Sequence, residues 1–206
     1  MNIGELIELM KKRGNVTRFK RDSLNPEDLE KILEAARWAP SAGNAQPWEL
    51  IVIEDFETKK EISRIHSAAM GSMEEEEYPK NYLHPAVLIA VCLDSRVKDK
   101  YPGLFSTEFL LNASLGAMIQ NMWLAVSSLN LGMGMGSQPL SAQDELRELL
   151  DVPEYLWIPE IIQIGYPAEE ITETSRRETR EFIHREKLDS SKLKRDEREE
   201  RDERDE

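Results

Sequence analysis

The stretch from Glu108 to Leu129 limits the possible folds of this chain more than any other. It holds no proline and is rich in Leu, Ala, Met, Ser and Asn, so it reads as one long helix. Asn112, Gln120 and Asn121 make it too polar for a bilayer, while its circumference is too apolar for a helix lying on a surface. Such a helix must be buried on several sides, and the rest of the chain has to supply what buries it. The segment Ala86 to Leu93, apolar without alternation, reads as a strand covered on both faces, with Cys92 in that core. Residues 48–53 and 158–167 read as further strands. Helices are expected over 2–13, where Ile3, Leu6, Ile7 and Met10 share a face before Gly14, and from Asn25-Pro26-Glu27-Asp28 up to Pro40. Another is expected from Glu57 to Ala69, and Ser141 to Asp144 resembles a capping box that opens a short helix.

Charge narrows the partners. The 206 residues carry 40 acidic and 27 basic side chains, a net −13, which excludes binding of nucleic acid or another polyanion by bulk attraction. A single cysteine excludes an internal disulfide, and the scattered His66, His84 and His184 lack the paired spacing of metal ligands, so no metal is expected. With no cleavage site and no apolar run long enough to span a bilayer, a soluble cytoplasmic protein is expected. From Lys194 to Glu206 every residue is charged, so 188–206 is expected to be a disordered or solvated helical tail on a domain spanning 1–187. Glu74 to Glu77 reads as a solvated loop, and Tyr78, Tyr82 and His84 fit either the lining of a pocket or the anchors of a Pro-bounded loop.

The most informative stretch is Ala39-Pro40-Ser41-Ala42-Gly43-Asn44-Ala45-Gln46-Pro47-Trp48. Its small residues let a backbone approach something closely, and Ser41, Asn44 and Gln46 offer donors and acceptors with little bulk. Taken alone, it also fits a loop that merely stops a helix. Together with the helix before it, however, EDLEKILEAARWAPSAGNAQPWELIVI resembles the signature of the nitroreductase family of flavin enzymes. In that family the Pro-Ser-x-x-Asn-x-Gln-Pro-Trp loop reaches a flavin mononucleotide (FMN) held mainly by the other subunit, which here implicates Pro40, Ser41, Ala42, Asn44 and Gln46.

Further segments follow in the order the resemblance implies. Arg13-Gly14-Asn15-Val16-Thr17-Arg18-Phe19 is similar to the family's Arg-x-Ser-x-Arg/Lys-x-Phe phosphate segment, with Arg13 on the first Arg, Asn15 on the Ser and Thr17 on the second basic position. An Arg fork matches phosphate oxygens bidentately. Thr17 leaves one formal charge missing unless Arg18 or Lys20 supplies it. Leu131-Gly132-Met133-Gly134-Met135-Gly136 resembles a family loop whose backbone passes over the flavin ring, implicating Gly134, Met135 and Gly136. Gly165-Tyr166-Pro167, followed by Arg176-Arg177, resembles the family's strand end and basic pair, whose cation would reach the phosphate or the N1/C2-carbonyl edge of the ring.

The resemblance implies an α+β fold, with a central mixed or antiparallel sheet flanked by helices, in an intertwined homodimer. On that reading Met118, Met122 and Trp123 of the long helix belong to the dimer core. It implies an FMN-dependent oxidoreductase in which NAD(P)H reduces the flavin and leaves, and a nitroaromatic, quinone or enone takes its place. Flavin carries the chemistry, so no catalytic side-chain pair is expected. Flavin-dependent dehalogenases, flavin-fragmenting enzymes and dehydrogenases of the same fold are alternatives, as is a non-catalytic flavin- or partner-binding protein.

Overall fold

In the computed structural model, residues 2–71, 80–100 and 107–193 are described. The expected loop at Glu74–Glu77, Tyr78 and the tail at 194–206 lie outside them. Contacts divide the chain into units of residues 1–173 and 174–206.

The first unit is built on a four-stranded sheet of order β1-β2-β4-β3. Its strands are β1 (Trp48–Ile53), β2 (Val87–Asp94), β3 (Gly132–Ser137) and β4 (Leu156–Gly165), and every pairing is antiparallel. Helices cover both faces. On one, α2 (Pro26–Arg37) and α5 (Thr107–Ser128) bring Ile32, Ala36, Leu115, Met118, Met122 and Val126 onto Val87, Ile89, Val91, Met133, Ile162 and Ile164. On the other, α3 (Phe56–Ala69) and α6 (Gln143–Leu150) bring Ile62, Ile65 and Leu146 onto Leu88, Ala90, Cys92, Ile158 and Ile161. The unbroken apolar run of β2 is thus a central strand buried on both sides. The helix α1 (Ile3–Lys12), which begins with a capping box between Asn2 and Glu5, packs against α5, and the short helix α4 (Lys80–Leu83) packs against α3.

Several expectations need correction. The Gly-Met stretch is a paired edge strand, not a loop, because every residue from Gly132 to Ser137 has a partner on β4. The last strand begins two residues early, at Leu156, and ends before Tyr166. Ser141 forms no capping box: it lies inside a 3-10 turn (Leu140–Ala142), leaving Ala142 at the head of α6 with no side-chain cap. Met118 and Met122 are fully buried within the chain's own core rather than held for a dimer interface. The segment Glu108–Ser128 is apolar and long enough to cross a membrane by length and composition. It serves here as a core helix, with one stripe, from Phe109 through Ala113 and Gly116 to Gln120, left exposed.

Candidate functional site

Lys11 and Lys12 close the last turn of α1, after which the backbone becomes extended at Arg13. The Arg13 guanidinium lies over the indole of Trp123 on α5, 4.6 Å from the ring centroid. The indole N–H donates to the Gly14 carbonyl at 3.0 Å. Gly14 is closely packed: a Cβ there would meet Ile171 Cγ2 at 2.3 Å, so the Ile171 side chain would have to shift. The chain then runs beside the outer edge of β3. Asn15 bridges to Met133, the Val16 amide donates to the Met133 carbonyl at 3.0 Å, and the Met135 amide donates to Asn15 Oδ1 at 3.3 Å. Val16 and Phe19 turn inward, while Asn15 and Thr17 face solvent. Farther on, Lys20 and Ala168 exchange backbone hydrogen bonds with Tyr166 and Arg18, so the 13–20 segment is tied at both ends.

Charge is distributed unevenly among the arginines of this unit. Arg37, Arg64, Arg96 and Arg147 pair with Glu34, Glu61 and Glu145, Asp94, and Asp144. Arg21 meets His84 at 2.9 Å, and Arg18 pairs with Glu169 at 2.6 Å. The Arg13 guanidinium alone among those of the described arginines of the unit makes no hydrogen bond or ion pair; it lies against the Trp123 ring. A guanidinium set over a ring face spends none of its N–H donors on a hydrogen bond there. Arg18 could replace the charge missing at Thr17, because an exposed pair such as Arg18–Glu169 is worth at most about 1 kcal/mol and exchanges readily.

The glycines of β3 have a definite use. A Cβ on Gly134 would lie 2.3 Å from the Val16 carbonyl oxygen and 2.5 Å from Gln163 Oε1, and one on Gly136 would lie 2.2 Å from the Tyr82 hydroxyl. Gly134 and Gly136 therefore let protein atoms close over that face of the strand. Met135 points the other way and is 38% exposed. Nearby on β4, burial pushes the Glu160 carboxyl up to about 7 against the lowering effect of the Ser137 hydroxyl.

The loop from Pro40 to Gln46 is held separately. Pro40, Asn44 and Gln46 are exposed, and Ser41 and Ala42 are half-buried. The Ala42 amide donates to Ser114 Oγ of α5 at 3.2 Å, and the Gln46 amide donates to Ser41 Oγ at 2.9 Å. Gly43, Asn44 and Gln46 all have left-handed backbone, with φ of 57°, 55° and 47°. For the two non-glycine residues this costs on the order of 1–3 kcal/mol each, a strain that recurs at ligand clamps. The structure brings Arg13, Gly14, Asn15, Gly134, Met135 and Gly136 together around the edge of β3. It does not join the Pro40–Gln46 loop to them, since the anchors Ser114 and Trp123 stand about 13 Å apart along α5 at ~1.5 Å per residue.

In the second unit, Arg176 donates to the Thr174 and Ser175 carbonyls, and Arg177 lies over Phe182 of the short helix α7 (Thr179–Phe182). Sequence reading misses Trp123 as the platform of Arg13, because no local signal links residues so far apart in the chain.

Residues 10–166 match the model of the Nitroreductase family. An Archaeoglobus fulgidus protein named as an NADH dehydrogenase/NAD(P)H nitroreductase is 31% identical over 89% of this chain and 98% of its own length. The iodotyrosine deiodinase of Thermotoga neapolitana is 32% identical over 79% of this chain and 88% of its own. A crystal structure of a nitroreductase from Desulfovibrio desulfuricans in complex with FMN superposes with a TM-score of 0.72 at 25% identity, covering 92% of this chain and 99% of that one.

Proposed function

Because the chain belongs to the nitroreductase family, we propose that it is an FMN-dependent oxidoreductase that oxidises NADH or NADPH and reduces small electrophiles of the nitroaromatic, quinone or enone type. The observation that carries this reading is Arg13, a half-buried cation with its hydrogen-bonding edge unspent in a chain of net charge −13. Beside it, Asn15 and Thr17 present polar side chains to solvent. A phosphate monoester fits that set: bidentate donors from Arg13 and single hydrogen bonds from Asn15 and Thr17. Bound FMN would supply the hydride chemistry, which accounts for a site needing no acid–base pair of its own. The chain's residues then bind and orient. The edge of β3 at Met135 and Gly136 would flank the ring.

The strained Ser41–Gln46 loop has no role toward its own chain's Arg13 cluster, which favours a homodimer in which it completes the partner's site. The exposed α5 stripe through Gly116 supplies an apolar, close-approach surface for that contact. The test is flavin binding. The purified protein should be yellow and bleach with NADH or NADPH, and Arg13→Ala should weaken FMN binding by roughly tenfold or more, the loss of one charge-assisted contact. A yellow protein that neither nicotinamide bleaches would favour the dehalogenase reading that the Thermotoga relative suggests. Equal FMN affinity in wild type and Arg13→Ala would overturn the phosphate assignment.

A further inference from the structure

Trp123 touches Arg13 and Gly14 in two chemically independent ways. Its ring face carries the Arg13 guanidinium at 4.6 Å, and its only polar group, the indole N–H, is spent on the carbonyl of the next residue, Gly14, at 3.0 Å. One side chain thus fixes both the arginine head group and the backbone from which it springs. From the other side Ile171 closes on Gly14 so tightly that a Cβ there would displace its side chain. The 13–14 unit is boxed between α5 and the segment that follows β4. Trp123 itself packs against the core cluster that includes Met118, Met122 and Val126.

We infer that Trp123 is a positioning residue for phosphate recognition, holding Arg13 with its N–H donors unspent. The inference rests on the reading of Arg13 as the FMN phosphate ligand. An unrestrained arginine must give up side-chain freedom when it binds. An arginine already stacked has surrendered part of that before the ligand arrives, and it cannot drift to one of the chain's many carboxylates. The arrangement also makes phosphate binding and ring binding separable, because Trp123 acts through Arg13 and Gly14 of the proposed phosphate segment.

The experiment uses the full chain stripped of flavin and titrated with FMN or with riboflavin, which lacks the phosphate, following flavin fluorescence. Trp123→Leu should weaken FMN binding about 3- to 30-fold, the range of a desolvated cation–π contact, and leave riboflavin binding within twofold of wild type. In an Arg13→Ala background, the effect of Trp123→Leu on FMN affinity should be much smaller, since only the hold on Gly14 is then lost. Trp123→Phe, which keeps a ring face and loses the N–H, should recover most of the FMN affinity and serves as the test if the leucine variant does not fold. Equal weakening of FMN and riboflavin, or an undiminished Trp123→Leu effect without Arg13, would show that Trp123 merely supports the fold and would overturn the inference. So would wild-type FMN affinity in Trp123→Leu while Arg13→Ala binds poorly. If Arg13→Ala itself binds FMN normally, the phosphate reading fails first, and this inference falls with it.

Discussion

The Lys59 ammonium lies 2.7 Å from the carbonyl oxygen of Ala86 and also donates to Pro85 at 3.0 Å. Lys59 is 5% exposed, and burial pulls it below the usual lysine value despite Glu54 and Asp55 nearby. The contact ties α3 to the chain just where it enters the central strand β2. Removing the ammonium would leave two carbonyls without a donor, each costing about 1–3 kcal/mol. Lys59→Met, which keeps most of the apolar stem, is therefore expected to lower unfolding free energy by about 2–4 kcal/mol in urea titrations. A loss under 0.5 kcal/mol would mean that water replaces the ammonium at no cost.

The Glu160 carboxyl makes stability depend on pH. One oxygen accepts the Ser137 hydroxyl at 2.9 Å, and the other is buried without a partner. Desolvation, the dominant cause, raises its pKa from 4.5 to about 7, so the folded protein holds a proton that the unfolded chain has released between those values. Stability from this group is full below the ordinary carboxylate range and falls as pH rises to about 7, by roughly 3 kcal/mol at ~1.4 kcal/mol per unit. His66, lowered by burial, works in the opposite direction as pH falls, so the difference between wild type and Glu160→Gln isolates the effect. Urea midpoints at pH 5 and pH 8 should differ in wild type by more than in Glu160→Gln. Parallel profiles would refute the buried-proton account.

What the sequence makes legible here is whatever depends on neighbours in the chain. Helix α2 announces itself through Asn25, Pro26 and a regular apolar face, and it forms as Pro26–Arg37. Strand β1 occupies residues 48–53 as its composition suggests. The strand β3 is not legible, because glycine and methionine carry little strand propensity and its strand character comes from β4 on one side and Asn15–Val16 on the other. The site divides in the same way. Arg13 and Asn15 stand out only through the family resemblance of their segment, and the contacts from Trp123 to Gly14 and from Met135 to Asn15 span more than a hundred residues. The Ser141 capping box fails for a related reason: the local pattern is present, but a 3-10 turn absorbs the serine before the helix begins.

Gly134 tests how tightly the proposed phosphate segment is seated on β3. An alanine methyl would meet the Val16 carbonyl oxygen at 2.3 Å, and a backbone atom cannot rotate away as a side chain can. Either the strand or the 14–16 segment must shift, costing about 1–3 kcal/mol as overpacking does. Gly134→Ala is thus expected to lower the melting temperature and to weaken FMN binding more than riboflavin binding, since Asn15 moves with Val16. Unchanged melting would show that the segment is loosely held.

Gly116 offers the opposite case and a test of the proposed dimer. It lies mid-way along α5 on the exposed stripe, and a Cβ there meets nothing within 4 Å. In an isolated chain, replacing it by a better helix former can only help, by up to about 1 kcal/mol for alanine. If the stripe packs against its counterpart in a second copy, a long cation there must be forced into the contact. Gly116→Arg is therefore expected to sediment as a monomer while the chain remains folded by circular dichroism. Because the Ser41–Gln46 loop is proposed to complete the partner's site, that monomer should also lose FMN, and added FMN should push residual subunits toward the dimer, since a ligand that binds only the assembled state favours assembly. A Gly116→Arg protein that stays dimeric would move the interface off this stripe. A monomer that still holds FMN at one per chain would show that each chain builds its site alone, leaving the strained loop to be explained by contacts within its own chain.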